Sequence, residues 1–161
     1  MARVKGEKLE LRMYGLVPYQ LSGIQAGIQF GHAVVEYGLK NNTVEYKDWA
    51  KNWKTFIVLN GGTTNLSQTN PGTLNKHLKE LKSMGVKVAT FHEPDLGDQL
   101  TSVVFILDER VFNKKKYPDY EDWLIENNLE PSKKEFGNWL IFMGGYKNMT
   151  IRSFVSKFKL A

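Results

Sequence analysis

Gln25, Gln29 and His32 follow one another at intervals of four and three residues in the stretch SGIQAGIQFGHAVVEY, residues 22–37. At about 100° per residue these side chains, with Glu36, fall on one narrow ridge of a helix. The amides can donate hydrogen bonds to a carbonyl or an anion, and the imidazole can carry a proton near neutral pH. The turn HEPDLGDQLT, residues 92–101, adds carboxylates, among them Glu93 and Asp95. Asp95 as base, Gln25 and Gln29 as donors and His32 as imidazole form a set that can orient water toward an ester and stabilise a developing oxyanion. The chain has no cysteine and shows no Ser/His/Asp triad, so water-mediated hydrolysis fits better than covalent catalysis. The plainer alternative is a partly wetted seam that only keeps polar groups satisfied. His92, Glu93, Asp95 and Asp98 lack the regular spacing of calcium loops, and neither a metal nor another cofactor is expected.

These groups need elements to hold them. Ser22 is suited to cap the helix through its hydroxyl. One apolar arc of that helix carries Ile24, Gly27, Ile28, Gly31, Val34 and Val35, and a second carries Ala26, Phe30, Ala33 and Tyr37. With two arcs, most of the circumference is expected to be buried. Gly27 and Gly31 each cost roughly 1 kcal/mol against Ala in a helix interior, which close approach of another backbone would explain. Leu9 to Val17 alternates as a strand and stops at Pro18. Thr43 is placed to cap a short helix reaching Trp53, and TFIVLN, residues 55–60, reads as a strand covered on both faces. The turn that follows, Gly61-Gly62-Thr63-Thr64, can cradle a phosphate on its backbone N–H groups, although it lacks the lysine and spacing of a P-loop. Its other reading is an ordinary surface loop.

Leu74, Leu78 and Leu81 set a helix over residues 73–84, and strands are expected at 86–91 and 102–107 around the acidic turn. The pattern predicts an α/β fold: a small mixed four-stranded sheet with helices on both faces, spanning residues 9–112. Residues 113–161 read as a helical extension packed on it. Its helices are expected at 119–128, from a Ser132/Glu135 capping box to Gly144-Gly145, and at 150–158. At 161 residues with 42% hydrophobic and 24% charged content, one sizeable core is affordable. A net charge of +5 favours an anionic partner. No apolar run approaches the roughly 20 residues that span a bilayer, so neither a membrane nor a secretory signal is expected and a cytoplasmic location follows.

At the helix and the acidic turn the chain resembles the type 2 peptidyl-tRNA hydrolases, most closely their divergent bacterial and phage-encoded members with a helical tail. That family opens with a strand and a helix bearing Gly-Lys, then Gln four residues after the Lys and His three later. Gln29 and His32 occupy the last two places, and Gln25 stands where the family has lysine. The family's Asp-Ala-Gly followed by Thr is matched by Asp95-Leu96-Gly97 with Thr101 or Ser102; the turn is shorter here, and Glu93 is an alternative counterpart of the aspartate. The resemblance covers about residues 9–112. It implies hydrolysis of the ester between a peptide and the tRNA 3′ end. In that scheme Asp95 positions or activates water, Gln25 and Gln29 hold the carbonyl or terminal ribose, and Thr101 supports Asp95. His32, Glu93, Gly61 and Gly62 are then the flanking substrate-binding positions. The partners expected are tRNA or a nucleotide, with homodimer formation left open. Because Gln25 is neutral, the competing expectation is an inactive binding module for a tRNA end, a nucleotide-derived signal or a partner protein.

Overall fold

A computed structural model describes residues 8–66 and 69–161. The chain divides into two compact units: Leu11–Leu107 with Phe158–Ala161, and residues 8–10 with Asp108–Lys157.

The first unit is built on a mixed sheet of four strands: β1 (Leu11–Pro18), β2 (Thr55–Gly62), β3 (Ala89–Glu93) and β4 (Gln99–Asp108), whose last residue already belongs to the second unit. Their order is β2-β1-β4-β3, with β1 and β2 parallel and β3 and β4 antiparallel, as the acidic turn requires. Helix α1 (Gly23–Lys40) packs on β1 and β3, and α3 (Thr73–Ser83) packs on β1 and β2. Between them lie a short α2 (Val44–Asp48) and a π-helical turn, Trp49–Trp53. Strand alternation assigns the faces: Met13 and Val17 join Ala26, Phe30 and Ala33 in the core under α1. Leu16 and Leu74 meet at Gly61 on the other face. A Cβ on Gly15 would run into the Phe30 ring, so the glycine is what lets α1 settle on β1.

Two expectations are corrected here. Only one arc of α1 is buried, the one carrying Ala26, Gln29, Phe30, Ala33 and Tyr37. Ile24, Ile28 and Val35 on the other arc are 80%, 51% and 63% exposed, and among the described residues no atom outside the helix comes within 4 Å of a Cβ position on Gly27 or Gly31. A single helix on a sheet turns only one stripe inward, and nothing among the described residues covers the second. Strand β2, expected to be covered on both faces, is an outer strand with Phe56 53% exposed. Its open side is paired by the last residues of the chain. Asn60 N–H donates to Lys159 O at 2.9 Å and Ala161 N–H to Val58 O at 3.0 Å.

The second unit contains α4 (Glu109–Phe112), α5 (Tyr120–Glu126), α6 (Lys133–Met143) and α7 (Tyr146–Val155). Its core gathers Tyr117, Trp139, Leu140 and Met143. The expected Ser132 cap is present, its hydroxyl accepting from Glu135 N–H at 3.0 Å, and α6 stops at Gly144 with φ +90°. Helix α7 begins at Tyr146, four residues earlier than its apolar pattern suggests, because the turn at Gly144-Gly145 releases the chain directly into it. Buried Arg152 of α7 donates to Tyr117 O at 2.7 Å, Arg110 O at 3.3 Å and Asp119 Oδ1 at 3.0 Å. No described helix is long and apolar enough to cross a membrane.

Candidate functional site

Three of the residues singled out in the sequence meet where α1 crosses the β3–β4 edge. Gln29 is buried on the inner arc of α1, at 8% exposure. Its Nε2 donates to Glu93 Oε2 at 2.6 Å, and its Oε1 accepts from the Thr101 hydroxyl at 2.5 Å. Donor and acceptor chemistry fixes the amide: only NH₂ can face the carboxylate, and only the carbonyl can take the hydroxyl proton. The result is a polarised run from Thr101 O–H through Gln29 to Glu93. Thr101 Oγ1 also lies 3.3 Å from Phe91 O, an alternative acceptor for the same proton.

A β-bulge aims Thr101 at this run. On β3, Phe91 pairs with Ser102 and the next residue, His92, pairs with Leu100, so Thr101 is the extra residue on β4. Such an insertion re-aims the side chain it carries and raises the local twist. Glu93 is held at the end of β3 as the cap of a single 3₁₀ turn, Pro94–Leu96, with its Oε1 accepting from Asp95 N–H at 3.5 Å. Glu93 is therefore half-buried with one oxygen on Gln29, whereas Asp95 is exposed. Beyond Thr101, the Ser102 hydroxyl is fully buried and meets no hydrogen-bond partner among the described residues.

The other sequence-derived positions are arranged differently. Gln25, exposed at the start of α1, gives its side-chain carbonyl oxygen to the helix cap. Its Oε1 accepts from Ser22 N–H at 3.1 Å while its N–H donates to the Ser22 hydroxyl at 3.2 Å, a reciprocal capping box at the start of α1. A glutamine three residues after a Ser cap satisfies orphan donors at a helix start, a demand met by its carbonyl oxygen alone. Asp95, expected to face the amides with Thr101 behind it, yields that place to Glu93, and the Thr101 hydroxyl serves Gln29 instead. His32 is exposed and lays its ring against Phe91 at 4.4 Å between centroids.

The glycine turn after β2 is not an open phosphate cradle. Gly62 N–H donates to Asn60 Oδ1 at 2.9 Å and Thr63 N–H to Thr73 Oγ1 at 2.8 Å. At the start of α3, Gly72 N–H is taken by Asn75 Oδ1 at 3.0 Å and Thr73 N–H by Thr63 Oγ1, also at 3.0 Å. Loop and helix start satisfy one another, which removes these N–H groups from any anion. Gly61 itself is buried beside Leu16 and Leu74, and the turn expectation at Gly61 and Gly62 is corrected accordingly. Sequence reading missed Asn65, whose Oδ1 accepts Leu100 N–H at 3.1 Å and Asn75 Nδ2 at 3.2 Å. It ties this loop to the start of β4, one residue before Thr101. A lone Asn in a polar loop carries no periodic signal that would have flagged it.

Chemically, the cluster offers one carboxylate, oriented by a buried amide and backed by a hydroxyl, at the rim of the sheet. It can hold a water or a polar substrate group against Glu93. No family model matches this chain, and no curated protein matches it.

Proposed function

We propose that the chain is a peptidyl-tRNA hydrolase-like protein of the cytoplasm, in which Glu93 draws a proton from water attacking the ester between a peptide and the tRNA 3′ end. The observation that carries the reading is the run Thr101–Gln29–Glu93, which fixes the carboxylate at the edge where the family's motifs converge. Gln29 and Thr101 act here as positioning residues, and Asp95, exposed on the same turn, remains the alternative base on the substrate side. Exposed lysines would grip tRNA phosphates, making affinity fall as salt rises.

The test is release of an N-acetylated amino acid from charged tRNA by the intact protein. A general base contributes about 10²–10⁴-fold, so Glu93→Gln should lose at least that lower factor in kcat with little change in KM. A wild-type rate in Glu93→Gln, with Asp95→Ala inactive, would return the role to Asp95. A specific observation favours a second reading, a binding module without turnover: Gln25, a neutral side chain at the family's lysine position, has its carbonyl oxygen held in the capping box. That reading predicts salt-dependent tRNA binding, no release of product, and measurable release once Gln25→Lys restores the cation.

A further inference from the structure

Helix α1 leaves its outward side in water although that side is apolar. Ile24, Ile28, Gly31, Val35 and Leu39 recur at intervals of four, three, four and four. At about 100° per residue they gather in one stripe about 80° wide. Leu39 is 76% exposed, and Ile24, Ile28 and Val35 are exposed with it. No charged residue interrupts the stripe. The spacing is that of a helix–helix seam, where apolar positions recur at three and four. Gly31 lies at its middle. Among the described residues a Cβ there would meet nothing within 4 Å, so the backbone of a second helix can come close at that point.

The stripe reads the same in both directions. When a second copy of α1 is turned end over end, Ile24 meets Leu39, Ile28 meets Val35, and the axis passes between Gly31 and His32. A two-fold pair demands that self-complementarity, whereas a foreign helix has no use for it. The polar groups beside the stripe agree. Exposed Gln25 and Glu36 lie on one flank of it, and in an antiparallel pair like flanks face each other. The cap holds the Gln25 carbonyl oxygen, and the NH₂ end of the same amide can donate to the Glu36 carboxylate of a reversed copy. The first turn of α1 has no acidic residue of its own, and the helix dipole favours an anion beside it. Area fits as well. The 18 residues of α1 make a helix about 27 Å long, whose outward half offers roughly 500 Å². Two copies together bury roughly 1,000 Å², the lower bound for a specific interface, so the pair is of micromolar strength rather than permanent.

We propose that two copies of this chain associate through α1, packed antiparallel across a two-fold axis beside Gly31. The interface uses none of Gln29, Glu93 and Thr101, so it stands or falls apart from the hydrolase reading.

Sedimentation equilibrium of the full chain, from low micromolar to submillimolar concentration, should carry its mass from that of one chain to that of two. Ile28→Lys and Val35→Glu, both at exposed positions, should each abolish association while the dilute protein keeps its melting temperature. Mixed together, the two variants should pair one to one. The reversed register sets the new ammonium against the new carboxylate and leaves Val35 on Ile28 at the other contact, which a parallel pair would not do. Gly31→Leu should weaken association at least tenfold without lowering the melting temperature, since it replaces a helix-interior glycine without a clash. A single-chain mass at every concentration, a dimer that persists in Ile28→Lys or at full strength in Gly31→Leu, or a mixture of the two charged variants that stays monomeric would each overturn the proposal.

Discussion

Replacing Gln29 with alanine is the sharpest probe of the run that joins α1 to the β3–β4 edge. The change removes a bond to a carboxylate, of a kind worth about 1.5–3 kcal/mol, and a neutral one worth about 0.5–1.5 kcal/mol. Both sit at the low end here. Glu93 is half-buried and regains water, and Thr101 can turn its proton to Phe91 O at 3.3 Å. The lost Cγ methylene adds about 0.8 kcal/mol of apolar burial. The sum is about 3 kcal/mol, a fall in melting temperature of roughly 6–12 °C for a chain of this length. Urea denaturation of wild type, Gln29→Ala, Thr101→Val and the double variant gives the coupling directly. Because the two residues share one bond, the double variant should lose about 0.5–1.5 kcal/mol less than the sum of the single losses. Additivity within about 0.3 kcal/mol would show that the hydroxyl and the amide act separately, and the polarised run would be refuted.

Three further outcomes follow from other parts of the molecule. Burial, and then the charge of Glu45, raise the Tyr37 phenol above its ordinary value, and its hydroxyl has no hydrogen-bond partner among the described residues. With the folded value raised, the stability tied to the neutral phenol is complete below about pH 10 and drains away as pH climbs from there toward the folded value. Tyr37→Phe should therefore gain about 1 kcal/mol at pH 7 and lose less than wild type at pH 10.5 in the same denaturation assay; an unchanged alkaline limb would contradict the assignment. Arg152→Met should cost about 2–4 kcal/mol by orphaning the carbonyls of Arg110 and Tyr117, read as faster hydrogen exchange in α6 and α7. Gly15→Ala should cost about 1–3 kcal/mol by pushing Phe30 off β1, whereas a thermal melt within one degree of wild type would mean the ring moves freely.

The strand and helix plan was legible because it rests on short-range physics. The Ser22 cap and the leucine row of α3 act within a few residues and stand where the pattern puts them; β1 forms as well, from Leu11, but it is buried on both faces rather than alternating. What misled was burial. The apolar arc of Ile24, Ile28 and Val35 reads as core, but sequence cannot say how many partners a helix will have, and here it has one sheet. The run TFIVLN likewise looks like an inner strand, and only the sheet order reveals that its outer neighbour is the three-residue segment 159–161. At the candidate site, Gln29 was legible by type and spacing and Thr101 through the family resemblance. Glu93 was legible as the alternative to Asp95, and the choice between them rests on which carboxylate of the turn meets Gln29. Gln25 has a further use that its spacing from Ser22 announces, a capping box engaging its side-chain carbonyl oxygen.

The segment 159–161 has a further effect. It occupies the backbone donors and acceptors at Val58 and Asn60 that a bare outer strand would present to any passing chain. Cutting the protein before Lys159 should therefore do more than shorten it: the freed rim of the sheet becomes a template for stray strands, and light scattering should report concentration-dependent clumping that the intact chain does not show.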